Sequence, residues 1–234
     1  MPPLDAPTSP PPIDQRLTHL AVGWLRSHFE PNLKAIADFP FTPQVLCAIA
    51  CKETGAYWCD WLFTRHLTLS AQDVLARCLG DAGPEDDNAT VGAPSGRTRA
   101  YFPGNTQEFR NRFGDNFTKM LIDETNKTRA LRLRTPVQWL YMGYGLFQFD
   151  LQYSVSSSDF GDEAFFREKH WYDINSCLSK AKTELDAKLR AHPNLWDAVE
   201  AYNGVGHSEY RKHVQQLHAW IVEAWPEDKP APRS

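Results

Sequence analysis

Apolar positions recur every three to four residues along most of this chain, a period that predicts helices rather than strands. Leu17, Leu20, Ala21, Trp24 and Leu25 share one face of a helix over 14–29, and 32–38 adds a short helical turn. Leu46, Ile49 and Ala50 mark the next helix, from Thr42 to Thr54, with Thr42 as N-cap, Pro43 at the first helical position and Gly55 as the stop. Ser70 with Asp73 three residues on opens a helix running to Gly80. Asn105 with Glu108 repeats that signature ahead of Phe109, Phe113, Phe117, Met120 and Leu121, which line one helical face. Further helices follow over 173–191, 194–203 and 208–225. Two-residue alternation is rare, so strands are few. Segment 81–98 is rich in turn residues and reads as a loop, and 135–170 reads as irregular. The expected class is mainly α.

The stripe of Leu46, Ile49 and Ala50 continues, at i+7, onto Glu53. An acid on a core-facing position is desolvated, which favours its neutral form. A helix ending at Gly55 would add the negative end of its dipole, disfavouring the anion further. An acid that keeps its proton near neutral pH is what general-acid catalysis needs. The plain alternative is a snorkelling or capping Glu at a frayed helix end. Two other segments bear on that choice. In Gly143-Tyr-Gly-Leu-Phe-Gln-Phe-Asp150, alternate glycines permit close backbone approach, and Gln148 offers both donors and acceptors. Asp150 is a second carboxylate, or else a turn or cap residue. In Ala201-Tyr-Asn-Gly-Val-Gly206, Asn203 and Gly204 read as a helix end, and Tyr202 as an aromatic with a wet tip.

Composition narrows the picture. The 234 residues include eight Trp, are 42% hydrophobic and carry a net charge of −4. That is enough for a substantial core and gives no electrostatic footprint for nucleic acid. No apolar run is long enough for a membrane span. Residues 1–13 form a Pro-rich arm without the basic and apolar pattern of a Sec leader, 14–225 a single domain, and 226–234 a polar tail. The five cysteines, an odd count, fit buried apolar roles better than an obligatory disulfide framework, although a Cys59–Cys78 bridge stays open. No metal-ligand spacing is present, the His213 and His218 pair does not share a helical face, and no cofactor is expected. Tyr57, Trp58 and Trp61 suit sugar stacking or the core about equally. Asp81, Glu85, Asp86 and Asp87 lack a calcium-loop spacing and read as solvated.

The three segments, in their order, resemble the lysozyme-like superfamily, with goose-type lysozymes and soluble lytic transglycosylases as the nearest look-alikes. Those families carry an acid followed by Ser or Thr, then Gly-Leu-Met-Gln, then Ala-Tyr-Asn. Here the segments are Glu53-Thr54, Gly145-Leu146-Phe147-Gln148 and Ala201-Tyr202-Asn203, within a resemblance covering roughly 40–215. The resemblance implies a lysozyme-like fold, with helices around a sugar-binding cleft and few or no short strands. It makes Glu53 the catalytic acid and places Gly145, Leu146, Phe147 and Gln148 on the cleft floor. Tyr202 would hydrogen-bond near Glu53 and hold it, and Asn203 would shape that corner. The stretch of about 60–135 is an insert typical of neither family. The implied substrate is the peptidoglycan glycan strand, cut at the β-1,4 bond between N-acetylmuramic acid and N-acetylglucosamine. In a hydrolase Asp150 would activate water on the opposite face of the sugar. In a transglycosylase the substrate's own N-acetyl or 6-hydroxyl group would serve, leaving anhydromuramic ends. A non-catalytic glycan- or protein-binding domain and a chitin or chitosan enzyme are the other classes. Without a Sec leader, delivery to the wall would be of phage type or by injection, the latter calling for an immunity protein as partner.

Overall fold

The structure, a computed structural model, describes residues 13–80, 101–155, 161–204 and 206–226, and it is mainly helical. The acidic residues Asp81, Glu85, Asp86 and Asp87 lie outside the described residues. Helix α1 (Gln15–Ile36) starts at Asp14, whose carboxylate accepts the Leu17 N–H at 2.7 Å. It runs unbroken through Pro31, where two separate pieces were expected. Pro31 and Ser27 are exposed, so the Ser27 carbonyl that Pro31 cannot serve faces the solvent side. The opposite face, with Ala21, Val22, Leu25, Phe29 and Leu33, is buried. Ile13, assigned to the arm by its sequence, is buried as well.

Helix α2 (Pro43–Ala50) begins as expected, with Thr42 as cap and Pro43 in the first turn. It does not stop at Gly55. A π-helical turn over Cys51–Gly55 leads into α3 (Ala56–Cys59), and a second over Asp60–Thr64 ends the rod. Gly55 has ordinary helical angles (φ −54°). A glycine inside a helix costs about 1 kcal/mol. Continuing the helix buries Trp58 and Trp61 completely, and each such side chain contributes about 2–3 kcal/mol. Packing outweighs propensity, and both indoles are core rather than sugar platforms.

Helix α4 (Ala71–Arg77) carries the expected Ser70–Asp73 capping box but ends three residues before Gly80. Leu79–Gly80 is instead strand β1, which pairs with a segment far along the chain. Helices α5 (Thr106–Phe113) and α6 (Asp115–Leu131) replace one expected helix, broken at Gly114 with φ +84°. The aromatic face survives the break, with Phe109 and Phe117 ring centroids 5.3 Å apart. Strands β2 (Gly143–Tyr144) and β3 (Phe149–Asp150) complete an antiparallel sheet of order β1-β2-β3, in which Gly143 faces Gly80 on one side and Asp150 on the other. Helices α7 (Glu163–Arg167), α8 (Ile174–Ala191), α9 (Leu195–Tyr202) and α10 (Ser208–Ala224) follow.

Buried side chains from Ile13 to Trp225 form one cluster. Helix α2 lies inside it between α1 and α10, which is why every residue from Gln44 to Ala50 is buried. The five cysteines are free and buried; Cys59 and Cys78 are not bridged. Glu124 of α6, also buried, is met by Arg77, Lys127 and Lys169 at 2.8 Å each and by the Tyr172 hydroxyl at 2.6 Å. Burial works against the Glu124 anion, but these partners prevail and hold its pKa down at about 2. Among the described residues no helix is long and apolar enough to cross a membrane.

Candidate active site

The three chemistry-bearing segments, far apart in sequence, are tied to one another by two side-chain hydroxyls. Thr54, which follows Glu53 in the π turn, is buried with its Oγ1 3.1 Å from the Leu146 carbonyl and 3.3 Å from that of Ala50. The same Oγ1 accepts the Trp58 indole N–H at 3.2 Å. Tyr202, at the end of α9, donates its hydroxyl to the Phe147 carbonyl at 2.7 Å. The Gly145–Gln148 turn is thus clamped between the Glu53 helix and the end of α9. These carbonyls face no strand partner, and a buried unpaired carbonyl would be costly.

Gln148 sits at φ +58°, left-handed backbone that non-glycine residues adopt rarely. The reason is visible in its amide. Nε2 donates to the Cys78 carbonyl at 3.1 Å and the Gly145 carbonyl at 2.8 Å, bridging the end of α4 to the turn. Because both partners are acceptors, the amide nitrogen must face them. Oε1 lies over Gly80 and Gly143, and a Cβ on either would collide with it. Those two paired glycines exist to admit the Gln148 side chain. Gln148 therefore offers the site an acceptor, since both its donors are spent. Gly145 (φ +78°) packs against Cys177 and Trp171, where a Cβ would fall 2.7 Å from Sγ. With the fully buried Leu146, it supports the floor from behind rather than forming its surface.

Glu53 is partly buried, and the Tyr210 hydroxyl donates to its Oε1 at 2.6 Å. Desolvation raises its pKa to about 7, against the opposing effects of the Tyr210 hydrogen bond and the Lys52 charge. The helix dipole has no part in this, because the rod continues to Thr64 and a terminal dipole acts only over the last turn. The expected orienting role of Tyr202 is corrected: it holds the floor, and Tyr210 of α10 holds the acid.

The chain matches no family model, no curated protein and no solved structure. The reading of the site rests on its geometry.

Glu53, Phe147, Gln148, Asp150, Tyr202 and Asn203 all line one cleft of about 730 Å³, within the range of ligand sites. Asp150 ends β3 on the cleft wall and caps the following 3₁₀ turn, its Oδ1 accepting the Gln152 N–H at 2.8 Å. Asn203 terminates α9, as its sequence indicated. Tyr57, unlike its neighbouring tryptophans, reaches the cleft and lies beneath the Arg132 guanidinium, 3.5 Å from its ring centre. A second cavity of about 530 Å³, lined by Ala56, Leu217 and Trp220 among others, also includes Glu53 and Tyr57. Glu53 thus lines both cavities.

Two residues escaped the sequence reading. Tyr210 was visible only as a member of the apolar stripe with Val214, Leu217 and Ile221, a position that hides where its hydroxyl points. Glu184 of α8 was visible by the criterion that picked out Glu53. It falls on the buried stripe of Cys177, Leu178, Ala181 and Leu185, is 8% exposed, and lines the same cleft. Desolvation raises its pKa to about 7, with Asp150 and Glu53 adding to the rise and Lys188 and Tyr153 opposing it.

Proposed function

We propose that this protein is a peptidoglycan glycosidase of lysozyme-like fold. It is a muramidase that cleaves the β-1,4 bond between N-acetylmuramic acid and N-acetylglucosamine, with Glu53 as general acid. The observation that carries this reading is Glu53 itself: a partly buried carboxyl, held by Tyr210 and protonated up to about pH 7, that lines two cavities. An acid shared by two cavities suits an internal bond of a polymer, whose chain must continue past the cleavage point. The polar opening, with Gln148, Asp150 and Asn203, suits the hydroxyl and acetamido groups of a glycan. The clamped Gly145–Gln148 turn, made from the segments that carry the resemblance, supports the same reading.

Glu53 protonates the glycosidic oxygen as the bond to the anomeric carbon breaks and an oxocarbenium-like centre develops. In hydrolysis a second carboxyl of the cleft activates water, and Asp150 is the one that the resemblance indicates. A second reading, lytic transglycosylation, is favoured by one observation: Asp150 commits Oδ1 to a helix cap, and the substrate's own acetamido or 6-hydroxyl group then completes the reaction. The partner is the glycan strand at the cell wall, reached by phage-type delivery or by injection, with an immunity protein where it is injected. Clearing of purified cell walls, followed by mass analysis of the released muropeptides, tests the reading. Wild-type protein is expected to clear them and Glu53→Gln not to. Equal clearing by both would refute the assignment, and anhydromuramic ends would select the transglycosylase route.

A further inference from the structure

Buried carboxyls are rare because an ion removed from water is destabilised by several kcal/mol unless it is paired. Glu124 obeys the rule with three cations and a tyrosine. Glu184 is also buried, at 8% exposed against 1% for Glu124, but among the described residues no cation pairs with it; the Tyr153 hydroxyl donates to its Oε1 at 3.5 Å. The groups facing it come from six elements: Lys188 one turn along α8, Asp150 at the end of β3, Tyr153 in the 3₁₀ turn, Glu53 in the π turn, Tyr202 at the end of α9 and Tyr210 on α10. Two of these groups, Asp150 and Glu53, are themselves acids.

We propose that Glu184 is the second catalytic carboxyl of this cleft, accepting a proton from the attacking water while Glu53 gives one to the leaving oxygen. The inference rests on the glycosidase reading and deepens it. In the step itself the anomeric carbon–oxygen bond to the leaving sugar breaks, and that oxygen receives the Glu53 proton. The water oxygen bonds to the anomeric carbon, and its proton passes to the Glu184 carboxylate. Glu53 ends as the anion and Glu184 as the acid, and exchange with solvent restores the starting pair. The competent form carries one proton on two carboxyls. Their proximity in charge favours that form around neutrality, because the first carboxylate to ionise raises the affinity of the other for its proton. Asp150 adds to the rise in the Glu184 pKa and keeps its capping role.

The test is the pH dependence of glycan cleavage by wild-type protein, Glu184→Gln, Glu184→Asp and Asp150→Asn. Wild type is expected to give a bell, since the pair must hold one proton. Glu184→Gln is expected to lose about 10²–10⁴-fold in kcat and the acidic limb of the bell, the range typical of a general base. Its Tm at pH 8 should be unchanged or higher, which a merely structural role would not give. Glu184→Asp should recover part of the rate with both limbs, and Asp150→Asn should move the acidic limb to lower pH without abolishing it, because the Asp150 charge adds to the rise in the Glu184 pKa. Activity of Glu184→Gln within about threefold of wild type, with an unaltered bell, overturns the inference and leaves the glycosidase reading standing. Wild-type protein that cleaves no glycan overturns both.

Discussion

Replacing Glu53 by Gln separates stability from function in a way that depends on pH. An ordinary glutamate titrates at 4.5 in the unfolded chain, and in the folded protein Glu53 titrates at about 7. Below pH 4.5 both states hold the proton and the group has no effect on stability. Between 4.5 and 7 the folded state keeps a proton that the unfolded state has lost. The fold is therefore destabilised progressively as pH rises through that window, and fully above 7. At 1.36 kcal/mol per unit, a rise of about 2.5 units amounts to about 3 kcal/mol, and partial exposure of the carboxyl brings that nearer 2. Glutamine removes the titration but keeps an oxygen that accepts the Tyr210 hydroxyl, whose bond to Oε1 is 2.6 Å. Urea unfolding at pH 4, 6 and 8 should then show Glu53→Gln matching wild type at pH 4 and exceeding it by about 2–3 kcal/mol at pH 8. In a domain of this size that is about 4–12 °C in Tm. Glycan cleavage by the same sample should be lost. A stability difference that is the same at pH 4 and pH 8 would refute the desolvation argument, whatever the activity does.

Three further outcomes follow from named contacts. Tyr210→Phe removes the hydrogen bond that favours the Glu53 anion, so the alkaline limb of the pH–activity profile should move to higher pH; a downward shift would contradict the geometry. Gly143→Ala drives a Cβ into Gln148 Oε1 and should lower cleavage at least tenfold, while Gly23→Ala, whose Cβ meets nothing within 4 Å, should leave cleavage intact and stabilise α1 by up to about 1 kcal/mol. Glu124→Gln leaves Arg77, Lys127 and Lys169 without their anion and should cost about 3–5 kcal/mol at pH 7, measured by denaturation. Because the pKa of Glu124 is depressed to about 2, that difference should persist above pH 4.5 and shrink as pH falls towards 2.

What could be read from the sequence was whatever depends on neighbours within one helix. The Thr42 cap, Pro43, the Ser70–Asp73 box and the stripes of α8, α9 and α10 are local, and the structure has them where the period placed them. The order of the three segments also identified which turns would meet. Interactions set by distant chain were hidden. Strand β1 consists of two residues, too short to alternate, and exists because Gly80 meets Gly143. Tyr202 and Tyr210 look alike in the sequence, each an inner-face aromatic with a polar tip. Only the crossing of α9 and α10 decides that one hydroxyl takes the Phe147 carbonyl and the other takes Glu53. Glu184 is a different case: its signature was present, and it lacked only a motif around it to draw the eye.

The π turn is what gives Glu53 the access that the proposed acid role requires. With a constant period of 3.6, the face of Leu46, Ile49 and Ala50 passes through Glu53, and a carboxyl there would be sealed in the core out of reach of any substrate. The i→i+5 bonding over Cys51–Gly55 inserts one residue into the rod and turns the register. Thr54 then takes the core position, 2% exposed, and spends its hydroxyl on the Leu146 carbonyl and the Trp58 indole. Glu53 is rotated to the boundary, dry enough to keep its proton to about pH 7 and open to two cavities. One extra residue in one turn thus assigns burial to the hydroxyl and access to the carboxyl. The segment Glu53-Thr54 is informative as a pair because the second residue anchors the helix in the register that the first requires.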